Sequence, residues 1–162
     1  MGEAFSGAQA LTEIDLTECS ITAIPGTAFE VTGIKELVIP DSIGSIGSWF
    51  VWACYDLEKV VIGTGVTSIG NAAFNGDTKL EAIIINKPVT SASDVPTIDA
   101  TQSIPANAVV YVPTQREEAL YEANATWHAL FGADRIRPLT NYQVGSEYFQ
   151  TIQAAYQYIV DT

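Results

Sequence analysis

The sequence predicts a solenoid: a β-rich, right-handed coil whose short strands form one parallel sheet, closed by a C-terminal helical cap. Three observations predict it. Aliphatic residues recur every 23 positions, each recurrence ends in the alternation of a strand, and turn-forming residues separate one recurrence from the next.

The strands come first. Leu11, Ile34, Leu57 and Leu80 stand 23 residues apart, and the same step links Ile14, Leu37, Val60 and Ile83, then Leu16, Ile39, Ile62 and Ile85. All twelve positions are aliphatic although only about a quarter of the chain is Ile, Leu or Val, so chance agreement is on the order of one in ten million. Each unit reads L-x-x-[ILV]-x-[ILV], a short strand with one face toward a core. Phe5, Phe29, Val51 and Phe74 precede the column leucines as a second landmark, with Ile24, Ile46 and Ile69 as a third. "PGT", "PDSIG", "GTG" and "NGD" turn the chain between them. A single coil cannot bury its own apolar edge, so the coils must stack.

The first unit carries an extra residue in "TECSITAIP" and the second lacks one in "FEVTGI". In the third, Val51 holds the aromatic slot with Trp49, Phe50 and Trp52 beside it. After Ile85 the register loosens through "NKPVTSASDVPTIDATQSIP" until "NAVVYVP" supplies a last strand at 108–112. Thr114 and Glu117 make a capping box that opens a helix running to about Asn124.

The phrases "SIGNAAFNGDTKLEAIIINKPVT" and "VIPDSIGSIG" resemble the BspA-like leucine-rich repeats of bacterial surface antigens. The resemblance spans roughly residues 4 to 139. It implies a leucine-rich repeat solenoid in a bacterial, cell-surface or secreted protein with a role in adhesion. The family closes its arrays with a passage similar to the one carrying Tyr111, Pro113, Tyr121, Trp127, Ile136 and Leu139. The expected organisation is therefore an array over 1–139, including a capping segment over about 113–139, and a tail over 140–162. In that tail "NYQVGSEYF" reads as a hairpin. Residues 151–160 read as an amphipathic helix with Ile152, Ala155, Tyr156, Ile159 and Val160 on one stripe. "EYFQTIQAAYQYI" resembles the opening cap of right-handed parallel β-helix proteins, so the tail is also read as the start of a further domain.

Seven basic against nineteen acidic residues give a net charge of −12, which disfavours nucleic-acid and anionic-membrane partners. No apolar run reaches the roughly 20 residues that span a bilayer. "MGEAFSGAQA" lacks the basic and apolar regions of a secretory leader, and it opens inside a repeat.

The repeats hold little reactive chemistry. His128 is the single histidine, no G-x-S-x-G elbow accompanies it, and no metal or cofactor is expected. Glu117 and Glu118 read as a solvated helix face. "GTG" at 63–65 reads as a turn, since no Lys-Ser/Thr follows it. By 23-residue arithmetic Cys54 shares its position with Val31 and Asp77, and Cys19 shares another with Ser42 and Gly65. The two cysteines are thus expected to be free, mainly buried thiols.

With the aliphatic columns inward, the outward column is Asp15, Val38, Val61 and Ile84, and Glu13, Glu36, Lys59 and Ala82 run beside it. Strands about 4.8 Å apart would make Val38, Val61 and Ile84 an apolar patch about 10 Å long, a candidate partner surface. Val61→Glu with Ile84→Lys is expected to abolish partner binding and leave the thermal midpoint nearly unchanged. The expected function is non-enzymatic recognition of a host or matrix protein, or of a glycan. The alternative is an accessory module of a larger carbohydrate-active β-helix enzyme.

Overall fold

The structure is a computed structural model that describes residues 4–139 and the two short backbone segments 143–144 and 147–148. Eight strands precede the helices in chain order: β1 (Ala23–Ile24), β2 (Glu36–Ile39), β3 (Ser45–Ile46), β4 (Lys59–Ile62), β5 (Ser68–Ile69), β6 (Ala82–Ile85), β7 (Thr97–Ile98) and β8 (Val109–Val112). Helices α1 (Gln115–Ala123) and α2 (Ala125–Phe131), a 3-10 turn at Ala133–Arg135 and β9 (Ile136–Pro138) follow. Then come β10 (Gln143–Val144) and β11 (Glu147–Tyr148), which pair antiparallel where the sequence reads as a hairpin. The helix expected over 151–160 lies outside the described residues.

The 23-residue period becomes strand register directly. Leu37 faces Val60 and Val60 faces Ile83, all in parallel, within a sheet ordered β2-β4-β6-β8-β9. The inward columns are withdrawn from solvent: Ile34, Leu57 and Leu80, and likewise Val60, Ile62, Ile83 and Ile85, form one continuous core. The sequence reading expects one parallel sheet, and the coils in fact build two. The landmark isoleucines Ile24, Ile46, Ile69 and Ile98 end the strands of a second ladder, β1-β3-β5-β7, with Ile24 in register with Ile46 and Ile46 with Ile69.

Between the sheets the return segments stack through backbone hydrogen bonds. Thr27, Phe29 and Val31 donate to the carbonyls of Ser48, Phe50 and Trp52, and Trp49, Val51 and Ala53 donate to those of Asn71, Ala73 and Asn75. These bonds place Phe5, Phe29, Val51 and Phe74 in one column despite unequal spacing, so the extra and the missing residue are absorbed in the turns. Phe50 meets Phe29 edge-on at 5.6 Å and fills the space that Val51 leaves. On either side of the aromatic column the backbone is left-handed at every described step. Gly7, Val31, Ala53 and Gly76 form one such row, and Thr27, Trp49 and Ala72 the other. Five of these seven carry side chains, a conformation that costs about 1 kcal/mol each and persists because the stacking bonds over-determine it.

The first unit departs from expectation. Residues 14–16 form no strand, and no strand of the described residues pairs with the outer edge of β2. Leu16 is buried, but Leu11 and Ile14 only half so. These residues keep the 23-residue step to β2, but among the described residues they have a coil neighbour on one side only.

At the other end the loosened stretch after Ile85 is tied down locally. The Asp94 carboxylate accepts from the backbone and hydroxyl of both Thr90 and Ser91. The last aromatic return has no coil above it, and the Gln102 side chain substitutes, accepting from the Phe74 N–H and donating to the Gly70 carbonyl. Thr114 caps α1 by accepting from the Arg116 N–H, and its hydroxyl donates to Glu117. Glu117 is therefore buried, contrary to its reading as a solvated residue: the capping contact draws it inward. Asn124 caps α2, Trp127 Nε1 donates to the Pro96 carbonyl at 2.7 Å, and β9 pairs with β8 to complete the sheet. The Arg135 guanidinium donates to the carbonyls of Leu130, Phe131, Pro105 and Ala108 and lies over the Phe131 ring, locking the cap to the last coil.

Candidate partner surface on the sheet

Alternation along β2, β4 and β6 sends Glu36, Val38, Lys59, Val61, Ala82 and Ile84 to the face opposite the core, as the period predicts; none of them belongs to the core cluster. Their exposure corrects the expected patch. Val38 is 42% exposed, whereas Val61 is 8% and Ile84 0% exposed, and Ala82 and Lys59 are also buried. Alternation assigns a side chain to a face; it does not say whether that face is open. Val61 lies between in-register Val38 and Ile84, and Ile84 between Val61 and Tyr111, while Val38 stands on the edge strand with a strand neighbour on one side. A continuous apolar stripe of Val38, Val61 and Ile84 is therefore not offered to solvent.

The remaining candidates cluster at the N-terminal end. Glu13, Asp15 and Glu36 are exposed. Glu36 and Lys59 are cross-strand partners and form an ion pair at 2.6 Å, with the Lys59 side chain nearly buried and Glu36 reaching solvent. Asp15 is engaged locally, accepting from the backbone and hydroxyl of Thr17; these bonds hold its carboxyl below the usual range.

Because the first unit does not pair with β2, a groove of about 630 Å³ opens between them. Thr12, Glu13 and Ile14 form one wall, Lys35, Glu36 and Val38 the other, and Glu58 joins them from the approach to β4. The groove brings together three of the sequence candidates, Glu13, Glu36 and Val38, and leaves Val61 and Ile84 out. It also adds Lys35 and Glu58, which sequence reasoning passed over. The signal was present, since Thr12, Lys35, Glu58 and Glu81 are themselves 23 residues apart. Lys59 neutralises Glu36, which leaves Glu13 and Glu58 against Lys35, so the groove is mildly electronegative, and it carries one exposed apolar residue, Val38.

The other sequence candidates fall elsewhere. His128 is an exposed residue of α2. Both cysteines are free: Cys19 is half-buried and Cys54 buried. Cys54 lies beside Thr32, at 3.3 Å, instead of Val31, because the second unit is one residue short. Residues 2–95 match the family described as the BspA type leucine rich repeat region, in six copies. The chain belongs to the BspA-type leucine-rich repeat family. No curated protein and no solved structure matches it. BspA-type repeats are typically non-catalytic, and the family points to a binding or adhesion-type module. Among the described residues no helix is long and apolar enough to cross a membrane.

Proposed function

We propose that this BspA-type array is a non-catalytic recognition module of a surface-exposed or secreted bacterial protein, and that its binding site is the groove at the open edge of β2. The observation that carries the reading is the groove itself, where Glu13, Glu36 and Glu58 surround the exposed Val38. Such a site favours an extended segment of a partner protein bearing lysine or arginine, with an aliphatic side chain seated on Val38. Complementary charge sets register and approach rate, and apolar contact adds affinity. We assign residues 1–139 to the module with its cap, and 140–162 to a separate tail.

A fluorescently labelled peptide of alternating lysine and valine tests the site, with a glutamate–valine peptide as the control. The lysine peptide binds, its affinity falls as salt rises, and Glu13→Lys with Glu58→Lys abolishes binding. Equal binding of both peptides, or full binding by the double variant, overturns the assignment. Fractionation of the producing bacterium tests the location: the protein is expected at the surface or in the medium.

A further inference from the structure

Away from the sheet groove, the third coil carries a feature that none of its neighbours shares. Trp49, Trp52 and Tyr55 lie along one return segment and are 41%, 37% and 59% exposed. The Trp49 and Trp52 rings meet edge to face at 5.8 Å. In the stacking register, the place of Trp49 is taken on the adjoining coils by Thr27 and Ala72, that of Trp52 by Glu30 and Asn75, and that of Tyr55 by Gly33 and Thr78. The coil therefore does not need aromatic side chains here.

Trp49 is more telling still. Its φ is +60°, a left-handed conformation in which a bulky side chain is an outlier. The same left-handed backbone recurs at Thr27 and Ala72, where the stacking bonds hold it, but only the third coil places a large aromatic side chain there, and two-fifths of it faces solvent.

We infer that Trp49, Trp52 and Tyr55 form a second binding site, one that takes a neutral polysaccharide. The inference deepens the recognition reading by naming a ligand class, but it rests on a separate surface. Aromatic faces pack against the C–H face of a pyranose ring, combining apolar contact with the attraction of polarised C–H groups to π-electrons. The sugar hydroxyls, pointing outward, need polar partners at the edges. The adjoining coils present Thr27, Glu30, Asn75 and Thr78 around the rings, hydroxyl, carboxylate and amide groups suited to that role. Apart from the buried Ala72, the side chains at the matching places on the adjoining coils are polar, so the aromatic faces carry the apolar contact alone. The net charge of −12 disfavours anionic polymers, which leaves uncharged glycans.

The test is affinity electrophoresis of the 162-residue chain through gels containing amylose, galactomannan or mixed-linkage β-glucan, with tryptophan emission as a second readout. At least one polymer retards the wild type and shifts its emission. Trp52→Ala and Trp49→Gly each weaken that binding tenfold or more. Trp49→Gly does so while keeping or raising the thermal midpoint, because glycine accepts the left-handed backbone, so loss of binding is separated from loss of fold. Glu13→Lys with Glu58→Lys leaves polysaccharide binding intact. No retardation by any of the polymers, or wild-type retardation of both tryptophan variants, overturns the inference. Peptide binding in the groove is unaffected by those outcomes, so the two readings fail independently.

Discussion

The backbone N–H of Cys54 donates to Asp77 Oδ1 at 2.9 Å, and the two residues occupy the same place on neighbouring coils. Asp77 is 1% exposed, and among the described residues its second oxygen, Oδ2, has no partner. Burial is the dominant influence on the carboxyl and pushes its pKa from 3.8 up to about 8, against the opposing pull of the Cys54 hydrogen bond.

Stability should therefore carry an unusual pH dependence at this residue. The folded pKa is raised, so the native state holds a proton that the unfolded chain releases. The stabilisation is complete below about pH 4, declines as pH rises, and is gone above about pH 8. Asp77→Asn keeps the acceptor for Cys54 and cannot ionise. The difference in unfolding free energy between Asp77→Asn and wild type should grow in favour of the variant from pH 4 to pH 8. Denaturant titrations at several pH values check this, and a difference independent of pH contradicts it.

The left-handed rows predict a contrast between two glycines. A Cβ on Gly7 would meet nothing within 4 Å, so Gly7→Ala should cost only the conformational term, about 1 kcal/mol. A Cβ on Gly76 would lie 3.2 Å from the Cα of Ala53 on the coil below. Gly76→Ala should cost that term plus a steric one, about 2 kcal/mol or more in all. Chemical denaturation of the two variants decides the order.

On the outer sheet face, Val61→Glu with Ile84→Lys should unfold or strongly destabilise the chain, by at least about 3 kcal/mol, because both sites are withdrawn from water. The expectation of an unchanged thermal midpoint does not survive that burial. Val38→Lys, on the exposed edge strand, should stay within about 0.5 kcal/mol of wild type. Thermal melts of the two variants provide the comparison.

Arg135→Ala should cost about 2–4 kcal/mol, since it strips partners from four carbonyls of the cap and the last coil. Arg135→Lys should recover only part of it, a single ammonium being unable to span the same fan of acceptors. Hydrogen exchange should locate the loss in α2 and β8.

Much of this architecture was written in the spacing. Twelve aliphatic positions 23 apart gave β2, β4 and β6 with their register, and Thr114 with Glu117 gave the start of α1. The second ladder was foreshadowed by Ile24, Ile46 and Ile69, but two-residue strands leave no alternation to read. The candidate surface was legible only in part. Periodicity placed Val61 and Ile84 on the correct side of the sheet, yet solvent access depends on lateral neighbours that a linear pattern does not count. The groove escaped because the period does not show it: Leu11, Ile14 and Leu16 keep the 23-residue step, yet residues 14–16 form no strand beside β2. Trp49 read only as a neighbour of the aromatic slot at Val51, and its left-handed backbone is visible only in three dimensions.

The two ends of the stack are unequal. One is sealed by helices, a guanidinium clasp and a final strand; at the other, the opening coil is tied by its aromatic side but lacks strand pairing with β2. For the 162 residues taken by themselves, cooperativity should then be directional: under load or mild denaturant they unzip from the first described coil toward the cap, shedding the groove before the rest of the sheet gives way.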